Sequence, residues 1–248
     1  AERLSAEDEP YHREPITYEA PYLDNLPTAP REKFAANIAA IQKLKEIEQR
    51  VANGGSPAFE DEQKILAQYT GWGGLSDAFD PNKSAWSNEY SQLKAALSES
   101  EYEAARSSTL TAFYTPATVI HPIYRALERF GVKGGKILEP SMGTGAFLAH
   151  GHFGSSDAKF YGVELDSITG RISKQLYQKA NIQVTGYENA LLPDNYFDCV
   201  IGNVPFGNFQ VNDPQYNRLH FPIHDYFFAK SIDKLRTGVS IERPTDKV

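Results

Sequence analysis

A single cysteine, Cys199, stands in a chain of 248 residues. No internal disulfide can form, which suits a reducing compartment. No apolar run approaches the roughly 20 residues needed to cross a bilayer, and no charged-apolar-small leader opens the sequence, so a cytoplasmic setting is expected. Internal repeats and low-complexity segments are missing as well. So is a basic excess: the net charge of −7 argues against a general nucleic-acid coat and against tight DNA binding by this chain alone. The acid is unevenly spread. Residues 1–110 carry 11 Lys and Arg against 19 Asp and Glu, whereas residues 111–248 carry 14 against 13. The second stretch is near neutral and holds phosphate only through a local patch. With 41% hydrophobic and 23% charged residues, the composition is ordinary for a globular protein with one full domain and a smaller companion.

Residues 1–30 are rich in Pro, Glu and Tyr without a sustained period, and read as an extended or disordered arm. Phe34, Ile38, Ile41, Leu44, Ile47 and Val51 then recur at three- and four-residue steps, one face of a helix that Asn53-Gly54-Gly55 ends. Helices are also predicted over Glu60–Tyr69, Ser87–Leu97 and Glu99–Ser107, so residues 31–110 read as a helical N-terminal domain. Thr115-Pro116 reads as a helix start, with Thr as cap and Pro in the first turn. That helix runs to Phe130, with Pro122 a point of kinking. Strands are predicted at Lys136–Glu139, Lys159–Glu164, Ile182–Thr185, Phe197–Gly202 and Val239–Glu242, with helices over Arg171–Lys179 and His224–Leu235. This alternation through residues 111–248 implies an α/β fold: a doubly wound, mostly parallel sheet of about five strands with helices on both faces.

The run Glu139-Pro140-Ser141-Met142-Gly143-Thr144-Gly145 follows the first of these strands and opens a helix. Gly143 and Gly145 let the backbone turn sharply and approach a ligand with no Cβ in the way. A dinucleotide loop places a third glycine three residues after the second, but Leu148 stands there. No Lys-Ser/Thr follows, which excludes a phosphate-cradling P-loop. A sulfonium amino acid needs no bare helix end, and S-adenosylmethionine fits. Glu164 ends the second strand, where an acid can take both ribose hydroxyls. The bland alternative is a tight turn with a strand-end acid.

Asn203-Val204-Pro205-Phe206 follows the fourth strand, expected next to the first in a doubly wound sheet, at the carboxyl edge where ligands bind. A planar amine is a poor nucleophile because its lone pair is delocalised. The Asn203 side-chain oxygen and the Val204 or Pro205 carbonyl can each accept one amine hydrogen, aiming the lone pair at a methyl group, while Phe206 stacks on the base. Positioning and electrostatics then suffice. The alternative is an ordinary Asn-Pro turn. Elsewhere, Trp72 reads either as a groove-lining ring or as a buried aromatic that pins the Gly71–Gly74 turn. His150-x-His152 reads as solvent-exposed rather than metal-binding, Cys199 as core, and Arg125, Arg129, Lys133 and Lys136 as a solvated face. No metal site is expected.

With both loops in hand, the chain resembles S-adenosylmethionine-dependent DNA adenine N6 methyltransferases, which implies a Rossmann-like methyltransferase core. Phe113-Tyr114-Thr115-Pro116 resembles that family's N-terminal cofactor motif, so Tyr114, Thr115 and Pro116 are implied at the methionine end. Glu139, Ser141, Gly143 and Gly145 match its first motif, Glu164 its second and Asn203, Pro205 and Phe206 its fourth. Glu188 and Asn189 stand for the third, beside the cofactor adenine. Val204 replaces the first Pro of the usual Asn-Pro-Pro-Phe. A narrower resemblance, over roughly residues 31–236, is to the N-terminal part of large helicase–methyltransferase proteins of bacterial conjugative elements and phages. It is carried by Trp72-Gly73-Gly74-Leu75, Glu89-Tyr90, Ala104-Ala105-Arg106, Tyr161 to Asp166 and Gly202 to Gly207. It implies DNA as substrate and a downstream helicase region or a separate target-recognition subunit as partner. Residues 111–248 leave no room for the seven strands and target-recognition domain of such enzymes, so a C-terminally incomplete core is expected. A catalytically inactive DNA- or partner-binding module, and methylation of protein glutamine or an RNA base, remain alternatives.

Overall fold

Pro30 opens helix α1 (Pro30–Ala52) in the first turn, where its missing N–H would have had no partner. The computed structural model describes residues 14–18, 26–109, 115–151 and 158–237. It divides into two compact units: Ala1–Ala112 with Lys174–Lys179, and Phe113–Ser173 with Ala180–Val248.

In the first unit α1 buries Phe34, Asn37, Ile38, Ala40, Ile41, Leu44 and Ile47, the face its periodicity gives, although Val51 at its end is exposed. Helices α2 (Glu60–Leu66), α3 (Ser87–Ala96) and α4 (Glu99–Ser108) follow; α2 stops three residues before its predicted end. Ser98 caps α4 reciprocally: its Oγ accepts from Glu101 N at 3.3 Å, and Glu101 Oε2 accepts from Ser98 N at 2.9 Å. Trp72 is 1% exposed and meets Phe79 edge-on at 5.4 Å and Phe34 at 6.1 Å, so it is core and lines no groove. Buried Asn37 holds the glycine turn beside it, donating to Gly71 O at 2.6 Å and accepting from Thr70 N at 2.8 Å.

The second unit begins with α5 (Ala117–Arg129). Its N-cap is Pro116 and no side chain caps it, so the predicted Thr115 cap is corrected: the extended Pro116 delays the helix by one residue. Then come β1 (Lys136–Glu139), α6 (Ala146–Ala149), β2 (Lys159–Glu164), α7 (Ser167–Leu176), β3 (Asn181–Val184), β4 (Cys199–Val200) and α8 (Ile223–Lys234). Helix α7 starts four residues before the predicted Arg171 because the Asp166 carboxylate accepts from Thr169 N at 2.7 Å and so caps the helix there. Strand β4 is shorter than predicted, yet Ile201 N still donates to Leu138 O at 2.9 Å past its end. The predicted strand Val239–Glu242 lies outside the described residues.

All four strands are parallel, in the order β3-β2-β1-β4. Strand β1 is buried on both faces, as a central parallel strand must be. Leu138 packs with Val163, Tyr226 and Phe227 on the α8 side. Ile137 packs with Ile120, Tyr124, Phe147 and Cys199 on the side of α5 and α6. Helices thus flank both faces of an α/β, Rossmann-like sheet, and the loops after β1 and β4 emerge side by side at its carboxyl edge.

Candidate active site at the carboxyl edge of the sheet

Gly143 and Gly145 have φ of 54° and 80°, left-handed conformations that cost a side-chain-bearing residue about 1–2 kcal/mol. The loop they form is tied down from three directions. Met142 N donates to Val163 O at 3.0 Å and Gly145 N to Met142 O at 2.8 Å. Ser173 Oγ, from α7, donates to Gly143 O at 3.0 Å. Gly143 N donates to Glu164 Oε2 at 2.7 Å, so the acid that ends β2 reaches the glycine loop directly. The Met142 thioether lies against β2 at Gly162, where an added Cβ would come within 2.2 Å of Sδ.

Two acids meet beneath this loop. Glu164 also accepts from Asp166 N at 2.7 Å. Burial, with the charge of Asp166, pushes its carboxyl up to about 7 even though those N–H bonds act the other way. Glu139, at the end of β1, is 2% exposed. Its carboxyl lies well above the usual carboxylate range, first through burial and then through the nearby charge of Glu164. Among the described residues its Oε2 has no hydrogen-bond partner. Gly202, which opens the Asn203 loop, passes so close that a Cβ there would stand 3.3 Å from Glu139 Cγ. Glu139 therefore lies between the two loops.

Asn203 and Phe206 are exposed, while Val204 and Pro205 are half-buried. The Phe206 ring is 71% exposed and lies 6.3 Å from His224, centroid to centroid. Ser141 is half-buried in the glycine loop. Glu188 and Asn189 form a short turn just after β3, on the same edge but two strands from β1, and Asn189 Nδ2 donates to Glu188 Oε1 at 2.8 Å. Thr115 and Pro116 lead into α5, and Tyr114 lies outside the described residues.

A second polar group, not expected from the sequence, anchors the chain beyond the Asn203 loop. Asp213 Oδ2 accepts from Lys230 Nζ and from Tyr226 OH, both at 2.8 Å, and all three side chains are buried. Burial alone would raise the Asp213 carboxyl, but the bonds from Lys230 and Tyr226 outweigh it and hold the carboxyl below its usual value. Lys230 Nζ also reaches Glu188 O at 3.4 Å. The sequence carried a signal for this: Tyr226, Lys230 and Lys234 recur at four-residue steps on the core face of α8, and all are buried. His150 is another correction. It is buried, with its Nδ1 3.1 Å from His121 Nε2, because α6 turns it towards α5; His152 lies outside the described residues. No cluster of three or more metal-ligating side chains occurs among the described residues, and no helix there is long and apolar enough to cross a membrane.

The N-6 DNA Methylase family matches residues 99–225, just over half of the chain. The chain is 28% identical over 232 residues to the Defense against restriction protein B of Escherichia phage P1, covering 92% of the chain and 8% of that protein. It is 33% identical over 95 residues to the Modification methylase CviBIII of Paramecium bursaria Chlorella virus NC1A, covering 38% of the chain and 25% of that enzyme. The chain thus spans only a small part of either relative. Among solved structures, a candidate S-adenosyl-L-methionine-dependent methyltransferase from Methanococcus maripaludis is similar at 19% identity with a TM-score of 0.34, over 49% of this chain and 54% of that one.

Proposed function

The chain belongs to the N-6 DNA methylase family, and on that premise we propose that it transfers a methyl group from S-adenosylmethionine to the N6 amine of adenine in DNA. One observation carries this reading: the glycine loop and the Asn203 loop leave neighbouring parallel strands at the same edge, the place where open α/β sheets bind ligands.

The residues present fit such a cofactor. Glu164 would offer carboxylate oxygens to ribose hydroxyls beside a loop that has no Cβ at Gly143 and Gly145, and Glu139 holds an unpaired buried oxygen next to it. When bound, S-adenosylmethionine supplies an electrophilic methyl group on a sulfonium. Ser141, Gly143 and Gly145 shape the loop that would hold it, Tyr114, Thr115 and Pro116 would flank its methionine end, and Glu188 and Asn189 its adenine. Asn203 and the Val204 or Pro205 carbonyl would accept the two hydrogens of the target amine, orienting its lone pair without a general base. The exposed Phe206 ring would stack on an adenine that has left the duplex, at a cost of a few kcal/mol.

The test is methyl transfer to mixed-sequence DNA with labelled cofactor. Activity in wild type that Asn203→Ala abolishes, with cofactor binding retained, supports the proposal; the same transfer to RNA or to a protein glutamine instead would redirect it. A second reading rests on the 8% share of the phage P1 protein that the chain covers. Here the chain is a module of a larger protein that acts on DNA with a downstream region, and by itself binds cofactor without transferring the methyl group.

A further inference from the structure

We propose that Glu139 is the counter-charge for the cationic cofactor and carries a proton whenever that cation is away, so that binding exchanges one positive charge for another. This rests on the methyl-transfer reading and adds to it a way of telling cofactor from product.

The geometry is that of a carboxyl buried between the two loops with one oxygen left without a partner among the described residues. Glu139 ends the central strand β1, is 2% exposed, and has no hydrogen-bond partner for Oε2 among the described residues. Gly202 keeps the backbone of the Asn203 loop against it, and a Cβ there would lie 3.8 Å from its Oε1. Among the described residues, the titratable groups around it come from three elements. Glu164 faces it from β2. Tyr124 faces it from α5, with the Cys199 thiol of β4 close to that phenol. An acid, a phenol and a thiol bring no positive charge. A carboxylate ion in such a place lacks both water and a cation, and burial with the charge of Glu164 favours the neutral acid.

S-adenosylmethionine carries a sulfonium and an ammonium against one carboxylate, leaving one net positive charge. S-adenosylhomocysteine has lost the sulfonium charge and is neutral overall. Only the first brings the cation that allows Glu139 to ionise. Its proton then passes to solvent, and the charge of the crevice is conserved. When the sulfonium has become a thioether, Glu139 takes a proton back and the product loses its hold.

Calorimetric titration of the full chain near pH 6.5, in two buffers of different ionisation enthalpy, counts the protons released. At that pH the ligands' own amines, with pKa near about 7.7, stay largely protonated. Wild type should release up to about one proton more with S-adenosylmethionine than with S-adenosylhomocysteine. Glu164 interacts with Glu139, so the two carboxyls are counted together as one titrating pair, and the difference between the ligands is that of the pair. Glu139→Gln should remove that difference and lower the preference for cofactor over product about tenfold (~1.4 kcal/mol), with product affinity kept. Should that variant bind neither ligand, Glu139→Asp, still ionisable, must retain the proton difference. Equal proton counts in wild type, or an undiminished preference in Glu139→Gln, would overturn the inference and leave methyl transfer standing. No heat with either ligand in wild type would overturn the methyl-transfer reading and this inference with it.

Discussion

Asp213 and Glu139 are both acids buried in the same unit, and they differ in what surrounds them. Asp213 has an ammonium and a phenol at 2.8 Å, and its carboxyl stays ionised. Glu139 has an oxygen without a partner among the described residues and a second acid as its charged neighbour. The first is a fastener that ties the chain beyond the Asn203 loop to α8. The second holds nothing of its own fold. Burial of a charge therefore does not mark a ligand site by itself; burial without compensation is what the proposed role of Glu139 rests on.

The largest expected effect that tests this contrast comes from cutting the fastener. Lys230→Met leaves Asp213 buried without its counter-charge, held only by neutral donors such as Tyr226 OH, and should cost about 3–5 kcal/mol in denaturant unfolding. Glu139→Gln, which removes an uncompensated acid, should change stability at neutral pH by less than about 1 kcal/mol or raise it. Equal losses from the two variants would break the contrast.

The pH dependence should then differ in sign. The folded-state value of Glu164 is raised to about 7, so its contribution is fully present below about 4.5 and lost as pH rises through 7. Glu164 should cost the ligand-free protein about 1–3 kcal/mol over that span; Glu139, raised as well, adds a loss of the same sign, so Glu164→Gln should reduce the slope without abolishing it. The Asp213 carboxyl is lowered, so its contribution is present above the ordinary Asp value of about 3.9 and lost as pH falls below it. Unfolding curves collected from pH 3 to 8 with Glu164→Gln and Asp213→Asn separate the two slopes.

Smaller still, Glu164→Ala removes the partner of Gly143 N and the proposed ribose anchor, and should weaken S-adenosylmethionine binding at least tenfold, about 1.4 kcal/mol, by calorimetry. Phe206→Ala should have the least effect on the fold, within about 0.5 kcal/mol, because the ring is exposed. A larger loss of stability there would mean that the ring serves packing rather than a flipped base.

Much of the architecture was legible because it is local. The apolar face of α1, the span of α8, strands β1 to β3, and the two glycines in left-handed turns follow from periodicity and from the freedom of a residue without Cβ. Glu164 was legible as the acid ending its strand, and Cys199 as core. The early start of α7 was missed because Asp166 was not read as a cap, and β4 was overextended because buried Phe197 and Ile201 look like strand beyond its ends.

By itself, then, the sequence determined which residue types stand at each turn and which faces are apolar, since these depend on neighbours a few positions away. Only the tertiary structure decided that Lys230 finds Asp213 and that Glu139 finds no cation among the described residues, because pairing and desolvation of a charge depend on groups that the strand order brings together from far along the chain.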